Sequence, residues 1–175
     1  MERSVRVRIG ISACLLGEKV RYDGGHKLDR LLKETLGRWF EYVPVCPEVG
    51  FGLGVPREAM HLSNDSPSPR LVTIHTNRDI TDRMVAWTRR RVIELEGEDL
   101  SGFIFKSGSP SCGMEGVPVR NKEGVPVGRG KGLFARAFMD HFPLLPVEED
   151  GHLRDQALRE AFLKRVLSTE TSPSP

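Results

Sequence analysis

Three cysteines, Cys14, Cys46 and Cys112, each lie where a predicted β-strand gives way to a loop rich in glycine or proline. In an open α/β sheet the carboxyl ends of parallel strands share one edge, and ligands bind in the crevice at that edge. Cysteines that are far apart in the sequence can therefore meet in space. Three thiolates at one point leave a four-coordinate metal, or one iron of a cluster, with an open position, which is what catalysis at a metal requires.

The cysteine pattern leaves several interpretations open. Three inert buried thiols are the plainest, since free cysteine packs as a small hydrophobic side chain, whereas a single disulfide with a spare thiol is disfavoured in a reducing compartment. The chain has no Cys-x-x-Cys pair, which argues against the usual structural zinc site and against the zinc base-deaminase signature. A zinc ion held by three cysteines and a water, and an iron–sulfur cluster with one open iron, both fit the number of thiols.

Two side chains that can move protons or donate hydrogen bonds lie beside the cysteines. Glu48 follows Cys46 by two positions and Ser109 precedes Cys112 by three. A carboxylate near a metal-bound substrate can act as a general acid or base, although a loop glutamate is more commonly solvated and a serine in such a turn commonly bonds its own backbone. The loop at residues 21–25 (RYDGG) is either a polar turn before a helix or a substrate-recognition loop.

Alternating strands and helices must position these residues. Strands are predicted at residues 5–12, 42–45, 71–75, 102–105 and 144–147, helices at 26–40, 80–96, 133–142 and 153–167, loops at 15–25 and 47–69, and a hairpin within 114–128. Pro44 marks the second strand as an edge strand or an irregular one. The order predicts an α/β fold with a single domain over residues 1–167, in which a mostly parallel, doubly wound, Rossmann-like sheet is flanked by helices. Residues 168–175 are predicted to be a disordered tail.

The composition is that of an ordinary globular protein. The 175 residues are enough for one domain, and 38% are hydrophobic and 29% charged. The net charge of +2 is too small to indicate nucleic acid or a membrane surface as the main partner. The sequence shows no signal-peptide pattern and no apolar run near the ~20 residues of a membrane span. With a sparse, odd number of cysteines, these features predict a cytoplasmic protein.

Four motifs, taken together and in order, resemble one protein family. They are ISACLLG at residues 11–17, VRYDG at 20–24, PVCPE at 44–48 and KSGSPSCG at 106–113, and the segment GKGLFA at 130–135 also fits. On these motifs the chain resembles the thiouracil desulfidase family, long known only as a domain of unknown function. The resemblance covers nearly the whole chain apart from the tail.

The resemblance implies a reaction and a cofactor. Family members remove sulfur from thiolated pyrimidines such as 2-thiouracil, giving the oxo base and sulfide. They hold an oxygen-sensitive 4Fe–4S cluster through three cysteines, and the matching positions here are Cys14, Cys46 and Cys112. The acid and the hydroxyl implicated in the family fall on Glu48 and Ser109, which are therefore the predicted catalytic residues.

The implied chemistry needs no net electron transfer. In this hypothesis the open iron polarises the thiocarbonyl as a Lewis acid, Glu48 activates a water, and Ser109 or Glu48 relays a proton. Ser12 and Asp23, which belong to the first two motifs, are predicted to bind the substrate.

Other functions remain open from the sequence. The alternatives are a three-cysteine zinc hydrolase of a small heterocycle and a non-catalytic carrier of a cluster or of sulfide. The expected partner is a small thiolated base; the near-neutral charge argues against long RNA but leaves open a thiolated base within RNA. An apolar patch on the closing helix is a candidate homodimer face.

Overall fold

The computed structural model describes residues 6–64 and 68–169, and two four-stranded β-sheets organise this part of the chain. The strands are β1 (Val7–Ser12), β2 (Phe40–Val45), β3 (Met60–Ser63), β4 (Arg70–Thr73), β5 (Gly102–Phe105), β6 (Val117–Arg120), β7 (Pro126–Gly130) and β8 (Val147–Glu149). The α-helices of the described residues are α1 (Pro47–Gly50), α2 (Thr81–Glu96), α3 (Leu133–His141) and α4 (Gln156–Thr169).

The first sheet contains the strands that precede the three cysteines. Its order is β2-β1-β5-β8, and every neighbouring pair is parallel. The chain places β2 on one side of β1 and later places β5 on the other side, so the strand order reverses at β1. The predicted parallel, doubly wound sheet flanked by helices is confirmed, and the carboxyl end of β1 is where such folds bind ligands. Pro44 lies on β2, an edge strand, as its missing N–H predicts.

Helices cover both faces of the parallel sheet. On one face, β1 packs against a helical segment at residues 31–38 and against α4, and Leu32 and Phe162 are buried there. On the other face, Phe103 of β5 contacts the rings of Phe134 and Phe138 on α3. Because both faces are covered, β5 is buried at all four of its positions.

The second sheet has mixed strand directions and was not expected. Its order is β4-β3-β6-β7; β3 is antiparallel to β4 and parallel to β6, and β6 and β7 form the predicted antiparallel hairpin. The strand predicted at residues 71–75 corresponds to β4 and therefore lies outside the parallel sheet. This sheet has its own apolar cluster, in which Leu62, Leu71 and Val117 pack with Met84 of α2.

The helix predicted at residues 26–40 forms only in part, and not as a regular α-helix. Only a π-helical turn at Leu31–Thr35 and a 3-10 turn at Leu36–Arg38 form. The backbone amides of Lys27 and Asp29 instead donate to the carbonyl oxygens of Cys14 and Leu15, each at 2.9 Å. The apolar spacing correctly indicated burial, but hydrogen bonds to the Cys14 loop replace the start of the helix.

Two other segments differ from the predicted pattern. Residues 47–69, predicted as loop, include the short helix α1 and the strand β3. The last strand was predicted at residues 144–147, but β8 starts only at Val147.

The closing helix also has different bounds from those predicted. It is preceded by a 3-10 turn at His152–Arg154, and it continues through Thr169, two residues into the predicted tail. Residues 170–175 of that tail lie outside the described residues. Within residues 6–64 and 68–169, none of the helices has the length and apolar character that crossing a membrane requires.

Candidate functional site

One cavity of about 350 Å³ brings the three cysteines together at the carboxyl edge of the parallel sheet. Cys14 follows β1, Cys46 follows β2 and Cys112 follows β5, which are three adjacent strands. Glu48 and Ser109 line the same cavity. The structure therefore places all five residues that the motifs singled out around one space.

Cys14 is held by backbone hydrogen bonds from the segment that the sequence predicted as helix. The residue lies in a 3-10 turn, Ala13–Leu16, which ends at Gly17. Its carbonyl oxygen accepts hydrogen bonds from the amides of Gly17 at 3.3 Å and of Lys27 at 2.9 Å. The unexpected non-helical course of residues 25–29 thus fixes the first cysteine of the cavity.

Cys46 and Glu48 form a pair at the start of α1. Pro47 occupies the first turn of this helix, where its missing N–H costs nothing, and the helix turns Glu48 back beside the cysteine. The Cys46 thiol donates to Glu48 Oε2 at 3.4 Å. Glu48 is only 9% exposed, so its carboxylate faces the cavity rather than bulk solvent.

The loop that carries Cys112 is fixed by Ser109 and by the start of α3. Ser109 Oγ accepts hydrogen bonds from the amides of Ser111 at 3.2 Å and of Cys112 at 3.0 Å. The amide of Phe134, in the first turn of α3, donates to the carbonyl oxygen of Ser111 at 2.9 Å, and that of Gly132 donates to the carbonyl oxygen of Gly113 at 2.8 Å. These bonds satisfy helix amides that would otherwise lack partners, and they join the segment at residues 130–135 to the loop that carries Cys112.

The two predicted substrate-binding residues lie in different places. Ser12 lines the cavity, is 2% exposed, and accepts a hydrogen bond from the amide of Lys106 at 2.9 Å. Asp23 is exposed and is not among the residues that line the cavity. Its Oδ1 accepts a hydrogen bond from the Gly25 amide at 2.9 Å, and this bond lowers the pKa of Asp23. A role for Asp23 in substrate binding stays a prediction.

Burial keeps the thiols of the cavity protonated at neutral pH in the absence of a bound metal. It raises the pKa of Cys14 and, more strongly, that of Cys112. Burial, reinforced by the negative charge of Glu48, raises the pKa of Cys46 to about 12. Thiolates are the form that binds metal, so a bound metal or nearby cations must stabilise the charged state.

Basic side chains near the thiols favour their charged, thiolate form. The basic residues of the cavity lining are Arg21, Lys27, Arg57 and Lys106, and Glu48 is the one carboxylate within the described lining. Arg21 and Lys106 partly oppose the effect of burial on the pKa of Cys14.

The donor set fits the ligands of an iron–sulfur cluster, which are cysteine thiolates. All three cysteines are free and line one cavity. Across residues 6–64 and 68–169, no three His, Cys, Asp or Glu side chains are already gathered tightly enough to hold one metal ion.

Sequence reasoning did not identify Lys106, Glu149 and Asp150. Lys106 stands in the motif that contains Cys112, and its position directly after β5 was a usable signal. Glu149 and Asp150 belong to the acidic run at residues 148–150, which is typical of a solvated surface. They are nevertheless buried, at 5% and 7% exposed, because β8 ends beside β5.

The comparisons with known proteins agree with the fold. The family model described as 2-thiouracil desulfurase matches residues 9–150. Among solved structures, the chain is similar to the 4Fe–4S-dependent thiouracil desulfidase TudS, with a TM-score of 0.68 and 28% sequence identity over 89% of this chain and 98% of that chain. A search of curated proteins finds no match.

Fold and site together define a Rossmann-like α/β protein with a three-cysteine cavity at the switch point of its parallel sheet. The matched residues begin in β1 and end at Asp150, directly after β8, and they include all three cysteines. The chain belongs to the 2-thiouracil desulfurase family.

Proposed function

We propose that this protein is a desulfidase that removes sulfur from a thiolated pyrimidine such as 2-thiouracil, and that it holds a 4Fe–4S cluster through Cys14, Cys46 and Cys112. The observation that carries the proposal is the convergence of three free thiols, Glu48 and Ser109 on one cavity at the carboxyl edge of the sheet. Membership of the family and the likeness to TudS support the same reaction.

A cluster bound through three thiolates would supply one iron with an open position, which acts as a Lewis acid toward a thiocarbonyl sulfur. Loading the site requires the three thiols to lose their protons. Glu48 Oε2 already accepts the hydrogen bond of the Cys46 thiol, so this carboxylate is placed to take that proton as Cys46 becomes a ligand and to pass it to solvent, which leaves Glu48 ionised for turnover. Arg21 and Lys106 offset part of the negative charge that results.

Glu48 serves as the base that activates water. Its carboxylate is buried and lines the cavity. A water that donates a hydrogen bond to Glu48 Oε2 gives its proton to the carboxylate as the water oxygen attacks the thiocarbonyl carbon. Because Glu48 is itself buried, its charge acts more strongly on that water than it would on the surface.

Ser109 relays a proton to the departing sulfur. Its Oγ accepts hydrogen bonds from two backbone amides, so both lone pairs are engaged and the hydroxyl hydrogen remains available as a donor. Ser109 lines the cavity, where that hydrogen can reach the substrate. Water adds its oxygen to carbon, the C–S bond breaks, and sulfide leaves with the protons of water; no electrons are gained or lost.

The decisive experiment measures iron, acid-labile sulfide and product on protein prepared without oxygen. We expect about four iron and four sulfide per chain, and conversion of 2-thiouracil to uracil with equimolar release of sulfide. Replacing any one of the three cysteines with serine should abolish both the cluster and the desulfidation. Zinc in place of iron would support the hydrolase alternative. A loaded cluster that passes to an acceptor, without turnover of thiolated bases, would support the carrier alternative.

The role of Glu48 has its own test with a matched control. Glu48→Gln keeps the size of the side chain, so it should retain iron while the rate of desulfidation falls ~10²- to 10⁴-fold. Glu98→Gln makes the same chemical change at a carboxylate that pairs with Arg8 at 2.8 Å, next to the amino end of β5, and should leave the rate unchanged. A fully active, cluster-loaded Glu48→Gln protein would show that Glu48 is not the base.

The setting of this activity follows from the same chemistry. Free thiols and an oxygen-sensitive cluster suit a reducing compartment, and we place the enzyme in the cytoplasm as one domain covering residues 1–167. Its substrate is a small thiolated base. The alternative is a thiolated base within RNA, and the desulfidation assay compares the two as substrates.

A further inference from the structure

Two consecutive buried carboxylates lie where β8 ends, next to the loop that carries Ser109 and Cys112. Glu149 is the last residue of β8 and Asp150 follows it. β8 pairs with β5, so both carboxylates lie beside the point where the chain leaves β5 and enters that loop. Buried carboxylates are uncommon unless they are hydrogen-bonded, and these two direct their bonds to opposite ends of one loop.

Asp150 binds the beginning of the loop. Its Oδ1 accepts a hydrogen bond from the Ser107 amide at 2.7 Å, and its Oδ2 accepts one from Lys106 Nζ at 3.2 Å. Its own amide donates to the carbonyl oxygen of Phe105 at 3.1 Å. The first two residues after β5 are therefore held by a single aspartate.

Glu149 binds the end of the loop. Its Oε1 accepts hydrogen bonds from the amides of Met114 at 2.6 Å and Glu115 at 3.2 Å. These are the two residues that follow the SCG segment at 111–113. Hydrogen bonds between a carboxylate and backbone amides are charge-assisted and stronger than neutral ones.

We propose that Glu149 and Asp150 are positioning residues, which hold the two ends of the loop at residues 106–115 and so fix Ser109 and Cys112 in the cavity. Neither residue is among those that line the cavity, so they act through the loop rather than on the substrate. The inference rests on the proposed function for its effect on the cluster and the reaction, whereas the fixing of the loop is independent of it. Mutation of residues that hydrogen-bond to metal ligands commonly lowers metal affinity by ~10- to 100-fold.

The experiment compares Glu149→Ala and Asp150→Ala with Glu149→Gln and Asp150→Asn in anaerobically loaded protein. The amides keep an oxygen that can accept from the loop, whereas alanine removes it. We expect the alanine variants to lose iron to a chelator ~10- to 100-fold faster, to show an altered electron paramagnetic resonance spectrum of the reduced cluster, and to lower kcat with little change in KM. Glu149→Gln should recover most of each property, because a single oxygen of Glu149 accepts both bonds. Asp150→Asn should recover less, because it keeps an acceptor for the Ser107 amide but loses the acceptor for Lys106 Nζ. Glu98→Gln is the control for loss of a carboxylate in an ion pair away from the cavity.

Amide hydrogen exchange reports on the loop whether or not the protein desulfurates anything. In the native chain the amides of Ser107, Met114 and Glu115 should be protected although they lie in a loop, and the matching alanine variant should exchange them at least ~10-fold faster. Unprotected amides in the native chain would overturn the inference even if the alanine variants failed to fold. A Glu149→Gln protein as defective as Glu149→Ala would also overturn it, since charge rather than hydrogen bonding to the loop would then be responsible. A native protein with no cluster and no activity, but with protected amides, would refute the proposed function and leave the fixing of the loop intact.

Discussion

Gly132 precedes α3 and lies against the backbone of the loop that carries Cys112. A Cβ at this position would lie 2.5 Å from the carbonyl carbon and oxygen of Ser111 and 2.8 Å from the amide nitrogen of Cys112. Ordinary contacts of a Cβ begin at 3.4 Å, so Gly132→Ala must move the loop or the start of α3 by about 0.9 Å. The φ of Gly132 is −60°, which any residue adopts, so the expected effect is steric.

The size of the effect follows from that overlap. Forcing an extra methyl into a well-packed backbone contact costs about 1–3 kcal/mol. For a chain of this length, 1 kcal/mol lowers Tm by ~2–4 °C, which gives a fall of roughly 2–12 °C. Because a displacement near 1 Å at reacting groups can cost ~100-fold in rate, desulfidation should fall by ~10- to 100-fold as well.

The assay pairs thermal unfolding with the rate of desulfidation and compares Gly132→Ala with Gly128→Ala. Gly128 lies on β7, and a Cβ there would meet no atom within 4 Å, so this control adds the same methyl group without a clash. We expect the control to keep both the Tm and the rate. If Gly132→Ala matched the control in both measurements, the residue before α3 would not lie against the backbone of the cysteine loop.

Three further predictions concern single side chains. Ser109→Ala should lower kcat and reduce stability by ~1–3 kcal/mol, because two loop amides lose their acceptor; denaturant unfolding and steady-state kinetics measure this, and unchanged values would contradict the role of Ser109. A hydrogen bond to Glu148 raises the pKa of His152, so this pair stabilises the fold fully below pH ~6.5 and loses that effect as the pH rises through the higher folded value. The side chain is more than a third exposed, so the effect should stay below ~1 kcal/mol; His152→Gln should remove it, and equal pH dependence of unfolding in both proteins would refute it. Leu158 and Leu167 of α4 are 43% and 53% exposed, and if this helix forms a homodimer, replacing both with Glu should shift sedimentation from dimer to monomer, whereas a monomeric native protein would rule the dimer out.

Much of the site was predictable because its signals are local. A strand followed by a loop can be predicted from a short apolar run that ends at glycine or proline residues. In this way β5 was predicted with its exact bounds, residues 102–105. Cys14, Cys46 and Cys112 each follow such a strand, and the rule that parallel strands share a carboxyl edge then predicts where they meet. Glu48 and Ser109 were within reach of the same argument because they lie two and three positions from a cysteine.

Other features depended on contacts between distant segments. The helix predicted at residues 26–40 has the right apolar spacing, but its first amides bond to the carbonyl oxygens of Cys14 and Leu15, and a local pattern cannot show that such partners are nearby. Likewise, β4 reads as a strand in the sequence, but a strand carries no mark of the sheet that it will join. It pairs with β3, and its Leu71 packs in the apolar cluster of the second sheet.

The sequence by itself determined the three thiols, their place at strand ends, and the family to which the chain belongs. Only the tertiary structure decided which side chains hold the cysteine loop. An acidic run such as residues 148–150 is typical of solvent exposure. Here Glu149 and Asp150 are buried because β8 pairs with β5 at the edge of the sheet. This position brings their carboxylates to backbone amides of the cysteine loop. Hydrogen bonds to a loop far away in the sequence leave no periodic pattern, so they become visible only when the strands are assembled.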